Sequence, residues 1–247
     1  PGQYVMVRPG PEIAPLLPRP FAIHRLFFQG NAFEAIELLY RVVGDGTLKL
    51  SKCKPGDEVR LLGPLGRGFR VPDGASRIFI AAGGMGVAPL LCLAEQLCAQ
   101  GRPPESCTVF LGARNCGELL CREDFEALGM QVLLTTDDGS IGDQCRVTDP
   151  LEALLDASPP DLIAACGPTA MLICLAEIAR QRGIPCQLSL ETRMACGFGV
   201  CLGCAVAPVQ PGAYLHACVD GPVFDARELD WRRLAAANDR RAEFYQR

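Results

Sequence analysis

The chain has 247 residues, carries a net charge of −4 and has a sequence pI near 5.3. This acidic balance gives no electrostatic reason to expect nucleic acid or an anionic membrane surface as a partner. A membrane-spanning helix is not predicted either, because Pro89, Glu95 and Gln96 interrupt the most apolar stretch before it approaches the roughly 18 residues required.

Residues 1–72 are predicted to form a small antiparallel β-barrel. Short β-rich runs alternate there with turns marked by glycine and proline; the runs cover residues 3–7, 21–28, 33–43 and 58–62. This alternation is typical of small barrels. Since the chain opens on Pro1-Gly2-Gln3-Tyr4, with no initiator methionine and no basic, apolar leader, we expect the first strand of the barrel to be missing from it.

Residues 73–190 are predicted to form an α/β domain with a parallel sheet. From Asp73-Gly74 onward, short buried runs alternate with helical segments. The predicted strands cover residues 77–82, 108–112, 131–136, 161–165 and 187–190, and the predicted helical segments cover 87–100, 119–128, 149–157 and 168–182. Short strands that alternate with helices indicate βαβ connections.

The remaining chain divides into a glycine- and cysteine-rich region, residues 191–224, and a charged tail, residues 225–247, predicted to be helical or frayed. The chain has fourteen cysteines. Ten stand singly, several of them among Leu, Ala and Val, where a free thiol acts as a small hydrophobe. A chain of this size does not need disulfides to support its core. The other four gather near the C-terminus, which indicates metal chemistry in a reducing compartment, and we expect a cytoplasmic protein.

The strongest motif is this set of four cysteines: Cys196-x4-Cys201-x2-Cys204, followed after thirteen residues by Cys218. The spacing matches the plant-type ferredoxin arrangement for a [2Fe–2S] cluster, in which the first three ligands lie on one loop. Gly197, Gly199 and Gly203 allow such a loop its unusual φ angles and close backbone approach. The alternatives are a structural zinc site and buried free thiols. Zinc sites usually pair two Cys-x2-Cys units, which the Cys-x4-Cys start does not fit.

Two glycine-containing turns follow predicted strands and open predicted helices. The first contains Gly83, Gly84 and Gly86, and the second is Cys166-Gly167-Pro168. Glycines there would let a pyrophosphate approach the backbone at a helix N-terminus, and both turns lie at carboxyl ends of strands, where α/β sheets bind ligands. The spacing differs from the Rossmann Gly-x-Gly-x-x-Gly pattern, so an ordinary tight turn between strand and helix stays an alternative.

A third candidate site lies in the predicted barrel. An arginine held by a proline, together with a Gly-Thr turn, could bind a diphosphate through a bidentate guanidinium, backbone amides and a hydroxyl. The segments concerned are Arg19-Pro20-Phe21-Ala22-Ile23, Leu39-Tyr40-Arg41 and Gly46-Thr47. Taken alone, an exposed arginine beside a strand and an ordinary turn are the simpler interpretation.

No catalytic acid or base is predicted. His24 and His216 are the only histidines, and neither has a nucleophile or a carboxylate at catalytic spacing, so packing or surface roles are favoured. Trp231 in the tail is expected to act as an anchor, onto the domain or onto a partner.

The order barrel, nucleotide domain and cluster resembles the ferredoxin reductase-type electron-transfer subunits. Within them, the chain is similar to the electron-transfer subunits of class B dihydroorotate dehydrogenases in two motifs: Glu191-x-Arg193-Met194-Ala195-Cys196-Gly197-x-Gly199-x-Cys201-x2-Cys204 and Cys218-Val219-Asp220-Gly221-Pro222-Val223-Phe224. Further matches are Pro1-Gly2-Gln3, Leu62-Gly63-Pro64-Leu65-Gly66-x-Gly68-Phe69 and Thr136-Asp137-Asp138-Gly139-Ser140. The resemblance spans nearly the whole chain.

This resemblance implies three cofactor sites. FAD would be bound by Arg19 to Ala22, by Leu39 to Arg41, and by Gly46 with Thr47; NAD would be bound at the two glycine-containing turns; and the four cysteines would hold a [2Fe–2S] cluster. Two departures stand out. Ala22 replaces a serine that the family usually carries near the flavin ring, and residues 141–145 lack a second glycine that the family often shows at the edge of the NAD site.

The resemblance also implies a function. Electrons would pass from the reduced FMN of a dihydroorotate dehydrogenase catalytic subunit, through the cluster and FAD, to NAD⁺, in de novo pyrimidine (UMP) biosynthesis and within a cytoplasmic heterotetramer. Alone, the chain would act as a diaphorase. No residue here suits the deprotonation of dihydroorotate, so that chemistry is expected in the partner, which would dock near residues 199–203 and 220–224. The alternatives are a related subunit of a ferredoxin:NADP or hydrogenase-type complex, and a non-enzymatic zinc-binding adaptor.

Overall fold

The computed structural model describes residues 1–10 and 16–236. Its N-terminal part contains β1 (Tyr4–Pro9), β2 (Arg19–Ala22), β3 (Arg25–Gln29), β4 (Ala32–Glu37) and β5 (Val59–Leu65). One antiparallel sheet has the order β2-β1-β5, and β3 and β4 form a separate antiparallel hairpin. The prediction of an antiparallel β-domain in this part of the chain is therefore confirmed.

The single strand predicted over residues 21–28 is wrong, because the chain leaves the β1 sheet and enters the hairpin within that run. The main chain stays paired across the break. Ile23 N–H donates to the carbonyl oxygen of Gln3 (3.1 Å), and His24 N–H donates to that of Glu37 (2.9 Å). Each amide thus bonds to a different side of the barrel domain, which is why a continuous β-rich run divides between two sheets.

The turn predicted at Gly46-Thr47 is also wrong, since both residues belong to helix α1 (Asp45–Leu50). The hydroxyl of Thr47 accepts hydrogen bonds from the N–H groups of Val43 (2.9 Å) and Gly44 (3.2 Å) and donates to the carbonyl of Gly44 (2.9 Å). This side chain therefore ends the preceding loop and starts the helix, a role that serine and threonine often take at helix N-termini.

The central sheet has six strands: β6 (Ile78–Gly83), β7 (Cys107–Ala113), β8 (Gln131–Thr136), β9 (Leu162–Cys166), β10 (Cys186–Ser189) and β13 (Val223–Asp225). Their order is β13-β10-β9-β6-β7-β8, and all neighbours are parallel except β13, which runs antiparallel to β10. Helices α2 (Val87–Ala99), α3 (Arg122–Ala127), α4 (Thr148–Leu155) and α5 (Thr169–Arg182) connect the strands. The predicted parallel α/β domain is confirmed.

Alternate residues of β6 enter two different hydrophobic cores. Phe79 and Ala81 belong to the core with α4 and α5, whereas Ile78, Ile80 and Ala82 belong to the core with α2 and α3. Since side chains alternate across a strand, a sheet covered by helices on both faces buries both sets. The chain moves from β6 outward to β7 and β8 on one side and to β9 and β10 on the other. This reversal creates a crevice at the carboxyl ends of β6 and β9.

The region after residue 190 folds back onto both earlier domains. It contains a two-stranded ribbon, β11 (Ala205–Val206) with β12 (Leu215–His216), and then β13, which the prediction of an α/β domain ending at residue 190 did not include. The expected anchoring of Trp231 onto the domain is confirmed, since its partly buried ring packs against the core that contains α4 and α5, and its indole N–H donates to the carbonyl of Ala226 (2.7 Å). The part of the predicted tail from residue 237 on lies outside the described residues. Among the described residues, 1–10 and 16–236, no helix is long and apolar enough to cross a membrane.

Candidate cofactor and cluster site

Strand β1 separates the barrel core from the cysteine-rich region. Its residues alternate in direction: Val5 and Val7 pack with Ile23 in the barrel core, whereas Tyr4 and Met6 belong to the core that contains two of the four cysteines. The hydroxyl of Tyr4 donates to the carbonyl oxygens of Gly197 (2.7 Å) and Cys218 (3.2 Å). Burial is the main reason why the pKa of this phenol is raised. The barrel thus holds the cysteine-rich loop through one strand.

Two glycines give the cysteine-rich loop its shape. Gly197 has φ +83°, and a Cβ placed there would lie 2.5 Å from Cγ of Met6. Gly199 has φ +88°, and a Cβ there would lie 2.8 Å from a methyl group of Val219. Both positions therefore exclude a side chain through conformation and through space. Gly203, which the sequence also suggested for this purpose, has no positive φ.

The ribbon β11–β12 brings the two buried cysteines together. Cys204 precedes β11, Cys218 follows β12 by two residues, and the N–H of Ala217 donates to the carbonyl of Cys204 (3.1 Å). Cys196 is half-buried and Cys201 is exposed, and the N–H of Cys201 points at the sulfur of Cys196 (3.5 Å). Cys204 and Cys218 thus lie inside the protein, whereas Cys196 and Cys201 lie on the loop, nearer the surface.

Hydrogen bonding and burial act in opposite directions on these thiols. The backbone N–H groups of Cys201 and Phe198 lower the pKa of Cys196 to about 6, because they stabilise a thiolate. Burial, with the neighbouring Cys204 sulfur as a second cause, raises the pKa of Cys218 to about 12. N–H groups aimed at sulfur are what a loop that holds iron-bound thiolates requires.

The donor set fits a two-iron cluster. In residues 1–10 and 16–236, no group of three or more His, Cys, Asp or Glu side chains stands ready to hold a metal ion. The assignment therefore rests on the type and spacing of the donors, because four thiolates, three of them on one loop, are the ligand set of a plant-type [2Fe–2S] cluster. The four soft sulfur donors, Cys196, Cys201, Cys204 and Cys218, would hold such a cluster between the loop and the ribbon.

The cluster loop carries an exposed apolar rim. Phe198, Val200, Leu202 and Val219 are between 45% and 72% exposed and stand around the exposed Cys201. Contiguous exposed apolar side chains mark contact surfaces on proteins. The predicted contact region at residues 220–224 is wrong in large part, because residues 221–224 are buried where the chain enters β13.

The second part of the site is a cleft of about 740 Å³ at the carboxyl ends of the central strands. Gly83, Gly84, Gly167 and Pro168, from the two turns singled out in the sequence, line it together. Gly86 does not line the cleft. It packs against the second turn instead, since a Cβ on Gly86 would come within 2.2 Å of the carbonyl oxygen of Cys166. The absence of a side chain at this position is therefore what lets the two turns meet.

Cys166 and Pro168 of the second turn have different roles. Cys166 is 4% exposed, and burial raises the pKa of its thiol, so it is neutral and serves as packing beneath the cleft. Pro168 closes against the first turn, since a Cβ on Gly83 would lie 2.6 Å from its ring. Ala170 and Met171 in the first turn of α5 also line the cleft, so the N-terminus of this helix lies at the cleft, an arrangement that suits a diphosphate.

The sequence reasoning missed several residues that line this cleft: Arg114, Glu118, Thr135, Asp137, Arg146 and Glu191. They come from three parts of the chain, after β7, at and after the end of β8, and after β10, so no single local motif joins them. The signal that could have found them is position, because polar residues directly after parallel strands meet at one sheet edge. Loss of hydration raises the pKa of the Glu191 carboxyl, although its side chain still reaches the cleft.

Arg41 connects the cleft with the barrel. The sequence assigned it to the flavin site, and the structure places it on the wall of the nucleotide cleft, 3.7 Å from Oε2 of Glu118. Its neighbour Tyr40 stacks at a tilt on Phe21, with ring centroids 5.4 Å apart. The segment Leu39 to Arg41 therefore lies between the two candidate nucleotide sites.

The candidate flavin segments meet at Arg19 and Gly46. A Cβ on Gly46 would lie 2.3 Å from Nε of Arg19, so the guanidinium rests directly against the backbone of α1. A cation beside helix amides fits a diphosphate, and the rings of Phe21 and Tyr40 offer an apolar surface nearby. The hydroxyl of Thr47 is not offered to a phosphate, because it makes the three main-chain bonds that start α1. Pro20 and Ala22 pair with Met6 and Tyr4 of β1.

Comparisons with known proteins agree with this architecture. Residues 191–230 match the family described as the iron–sulfur cluster binding domain of dihydroorotate dehydrogenase B, and residues 79–177 match the oxidoreductase NAD-binding domain. The chain is 40% identical to the dihydroorotate dehydrogenase B (NAD⁺) electron-transfer subunit of Desulforamulus reducens, over 94% of this chain and 87% of that protein. It is 41% identical to the same subunit of Bacillus caldolyticus, over 93% and 86%.

Solved structures show the same fold. A structure of an NADH-dependent reduced ferredoxin-NADP oxidoreductase superposes with a TM-score of 0.80 at 31% identity, covering 96% of this chain and 81% of that one. The ferredoxin reductase of carbazole 1,9a-dioxygenase shares the fold at a TM-score of 0.59 and 18% identity, covering 75% and 57%. With its cysteine loop, two-turn cleft and level of identity, the chain belongs to the family of dihydroorotate dehydrogenase B (NAD⁺) electron-transfer subunits.

Proposed function

We propose that this chain takes electrons from the FMN of a dihydroorotate dehydrogenase catalytic subunit and passes them through a [2Fe–2S] cluster and FAD to NAD⁺, in de novo pyrimidine biosynthesis. When bound, these cofactors supply the chemistry, because a flavin can exchange single electrons with a cluster and a hydride with a nicotinamide. The work left to the protein is to hold the three groups in order.

The observation that carries this proposal is the position of β1. Tyr4 and Met6 on one face hold the cysteine loop, and β2, which contains Arg19 and Ala22, pairs with the same strand. One strand therefore separates the candidate cluster from the candidate flavin segment. On the other side of the flavin segment, Arg41 reaches the nucleotide cleft. This order of sites is the order in which the electrons would travel.

The proposed division of the chain follows the same order. Residues 1–72 would bind FAD, residues 73–190 would bind NAD, residues 191–224 would hold the cluster, and residues 225–247 would form the tail, with β13 completing the central sheet. The cofactor residues are those named above: Arg19 to Ala22, Leu39 to Arg41, Gly46 and the amides of α1 for FAD, and Gly83, Gly84, Gly167 and Pro168 for NAD.

The catalytic partner would dock on the apolar rim around Cys201. Electron transfer requires a short path, and Cys201 is the exposed cysteine of the candidate ligand set. The rim residues Phe198, Val200, Leu202 and Val219 supply the apolar centre that stable interfaces need. All fourteen cysteines are free thiols, in keeping with a cytoplasmic location.

A direct test is to purify the chain with and without a dihydroorotate dehydrogenase catalytic subunit. The chain alone should show flavin and iron–sulfur absorption and oxidise NADH with an artificial acceptor, without activity towards dihydroorotate. The complex should reduce NAD⁺ when dihydroorotate is added. A colourless protein would favour a zinc adaptor, and turnover of dihydroorotate by the chain alone would contradict the two-subunit scheme.

A second candidate is a ferredoxin:NADP-type subunit, because a structure with that activity is 31% identical over 96% of this chain. The higher identity to the dihydroorotate dehydrogenase subunits, 40% and 41%, favours the first proposal. The two differ in electron donor. Reduction of NAD⁺ by reduced ferredoxin, with no response to dihydroorotate and the catalytic subunit, would support the second.

A further inference from the structure

Two consecutive side chains after β2 contact the nucleotide domain, although the main chain at both residues pairs with Glu37 in the barrel domain. His24 is 4% exposed, and its Nδ1 lies 3.0 Å from the carbonyl oxygen of Ala88 in the first turn of α2. Because a carbonyl oxygen can only accept, Nδ1 must carry the hydrogen in this contact. The chain therefore binds α2 two residues after the candidate flavin segment, Arg19 to Ala22, ends.

The next residue, Arg25, joins three structural elements. Its Nε donates to Oε1 of Glu95 on α2 (2.9 Å), a terminal nitrogen donates to Oδ1 of Asp124 on α3, and the other lies 3.7 Å from Oε1 of Glu37 at the end of β4. The arginine side chain is 26% exposed. An isolated surface ion pair contributes little. Here one planar cation separates three carboxylates that would otherwise repel each other.

An apolar contact supports the same junction. Cys92 of α2 is 4% exposed and packs into the barrel core with Val5, Val7 and Ile23. Helix α2 is thus shared between two domains, fixed at its first turn by His24, in its middle by Cys92 and one turn further on by Arg25. The glycine turn, residues 83–86, leads directly into this helix. The position of α2 relative to the barrel therefore also fixes the position of the candidate NAD-binding turn.

We propose that Arg25 is a positioning residue for hydride transfer between the flavin and the nicotinamide. The inference rests on the function proposed above. Domains joined by modest interfaces move relative to each other by default. In a hydride transfer the nicotinamide carbon and the flavin nitrogen must be held within a narrow distance, and a misplacement of about 1 Å can slow such a step about 100-fold. Arg25 ties the candidate flavin segment that precedes it to α2, which continues from the glycine turn, and to α3.

The test compares two arginine substitutions in the full-length, FAD-loaded protein. Arg25→Gln removes the interdomain cation. Arg122→Gln is the matched control, because Arg122 pairs with Glu126 within α3 (2.7 Å) and, among residues 1–10 and 16–236, joins no second element. Arg25→Lys keeps the charge without the planar fork. Flavin content is measured first, and then the limiting rate of flavin reduction by NADH in a stopped-flow experiment, together with hydrogen exchange of amides 84–92.

The expected result is specific to the junction. Arg25→Gln should slow the limiting rate about 10- to 100-fold at unchanged flavin content, with faster hydrogen exchange at the start of α2. Arg25→Lys should recover part of the rate, and Arg122→Gln should resemble the parent. If Arg25→Gln fails to fold, the pair Glu95→Gln and Asp124→Asn removes the same contacts from the other side and should give the same pattern.

Two results would overturn the inference: a limiting rate and exchange pattern in Arg25→Gln that match the parent, or the same changes in Arg122→Gln. The function proposed above fails separately. If NADH does not reduce the flavin of the parent protein, that function is wrong, whereas the exchange comparison still decides whether Arg25 fixes α2 to the barrel.

Discussion

Replacing Gly197 by alanine is expected to disrupt the cysteine loop more than the same change at Gly199 or Gly203. The residue has φ +83°, which costs a side chain about 1–2 kcal/mol. The added Cβ would also lie 2.5 Å from Cγ of Met6, a residue that is 1% exposed and packed in the protein core. Overpacking of this kind costs about 1–3 kcal/mol.

These two effects add to about 2–5 kcal/mol, a large part of the roughly 5–15 kcal/mol that stabilises a domain. The loop can relieve the strain by moving away from β1, which would break the hydrogen bond from Tyr4 to the carbonyl of Gly197. Because that carbonyl is next to Cys196, the sulfur would move as well. We therefore expect loss of bound iron to exceed the loss of global stability.

The assay measures iron and acid-labile sulfide per chain, the visible absorption spectrum and the thermal unfolding midpoint. Two control variants divide the effect into its parts. Gly183 has φ +66° and open space where a Cβ would lie, so Gly183→Ala isolates the cost of a side chain at positive φ. Gly212→Ala has neither positive φ nor a neighbour within 4 Å, so it should change nothing measurable. Full iron content and a parental midpoint in Gly197→Ala would refute the reasoning.

Three further substitutions test the other contacts. Tyr4→Phe should cost about 1–3 kcal/mol, because it leaves buried carbonyl groups without their donor, and urea unfolding followed by circular dichroism should show it; an unchanged midpoint would mean that the loop does not depend on β1. Gly46→Ala should push Arg19 aside and lower FAD retention on gel filtration, whereas Gly44→Ala, where a Cβ meets open space, should retain FAD. Equal retention in the two variants would mean that Arg19 does not bind FAD. Cys201→Ser should abolish or weaken the [2Fe–2S] EPR signal while NADH oxidation with an artificial acceptor continues, since a hydroxyl is a poorer iron ligand than a thiolate; an unchanged signal would exclude Cys201 as a ligand.

The sequence by itself determined the features that depend on neighbouring residues. The spacing of Cys196, Cys201 and Cys204 indicates that these residues share one loop, because a loop that wraps a cluster is built from residues close together in sequence. The buried runs that became β6, β7 and β9 are recognisable because a strand covered on both faces needs apolar side chains at successive positions. The turns around Gly83 and Gly167 follow from the same logic, since each joins one strand to the next helix.

Only the tertiary structure decided what lies between these elements. It places Arg41 of the barrel segment in the nucleotide cleft, makes β13 the edge of the central sheet, and turns the side chains of His24 and Arg25 towards α2 and α3. Each of these contacts joins residues that are far apart along the chain, where local propensity carries no information. They form because two domains and a loop bury their apolar faces together on β1 and α2, and that burial depends on the whole folded surface.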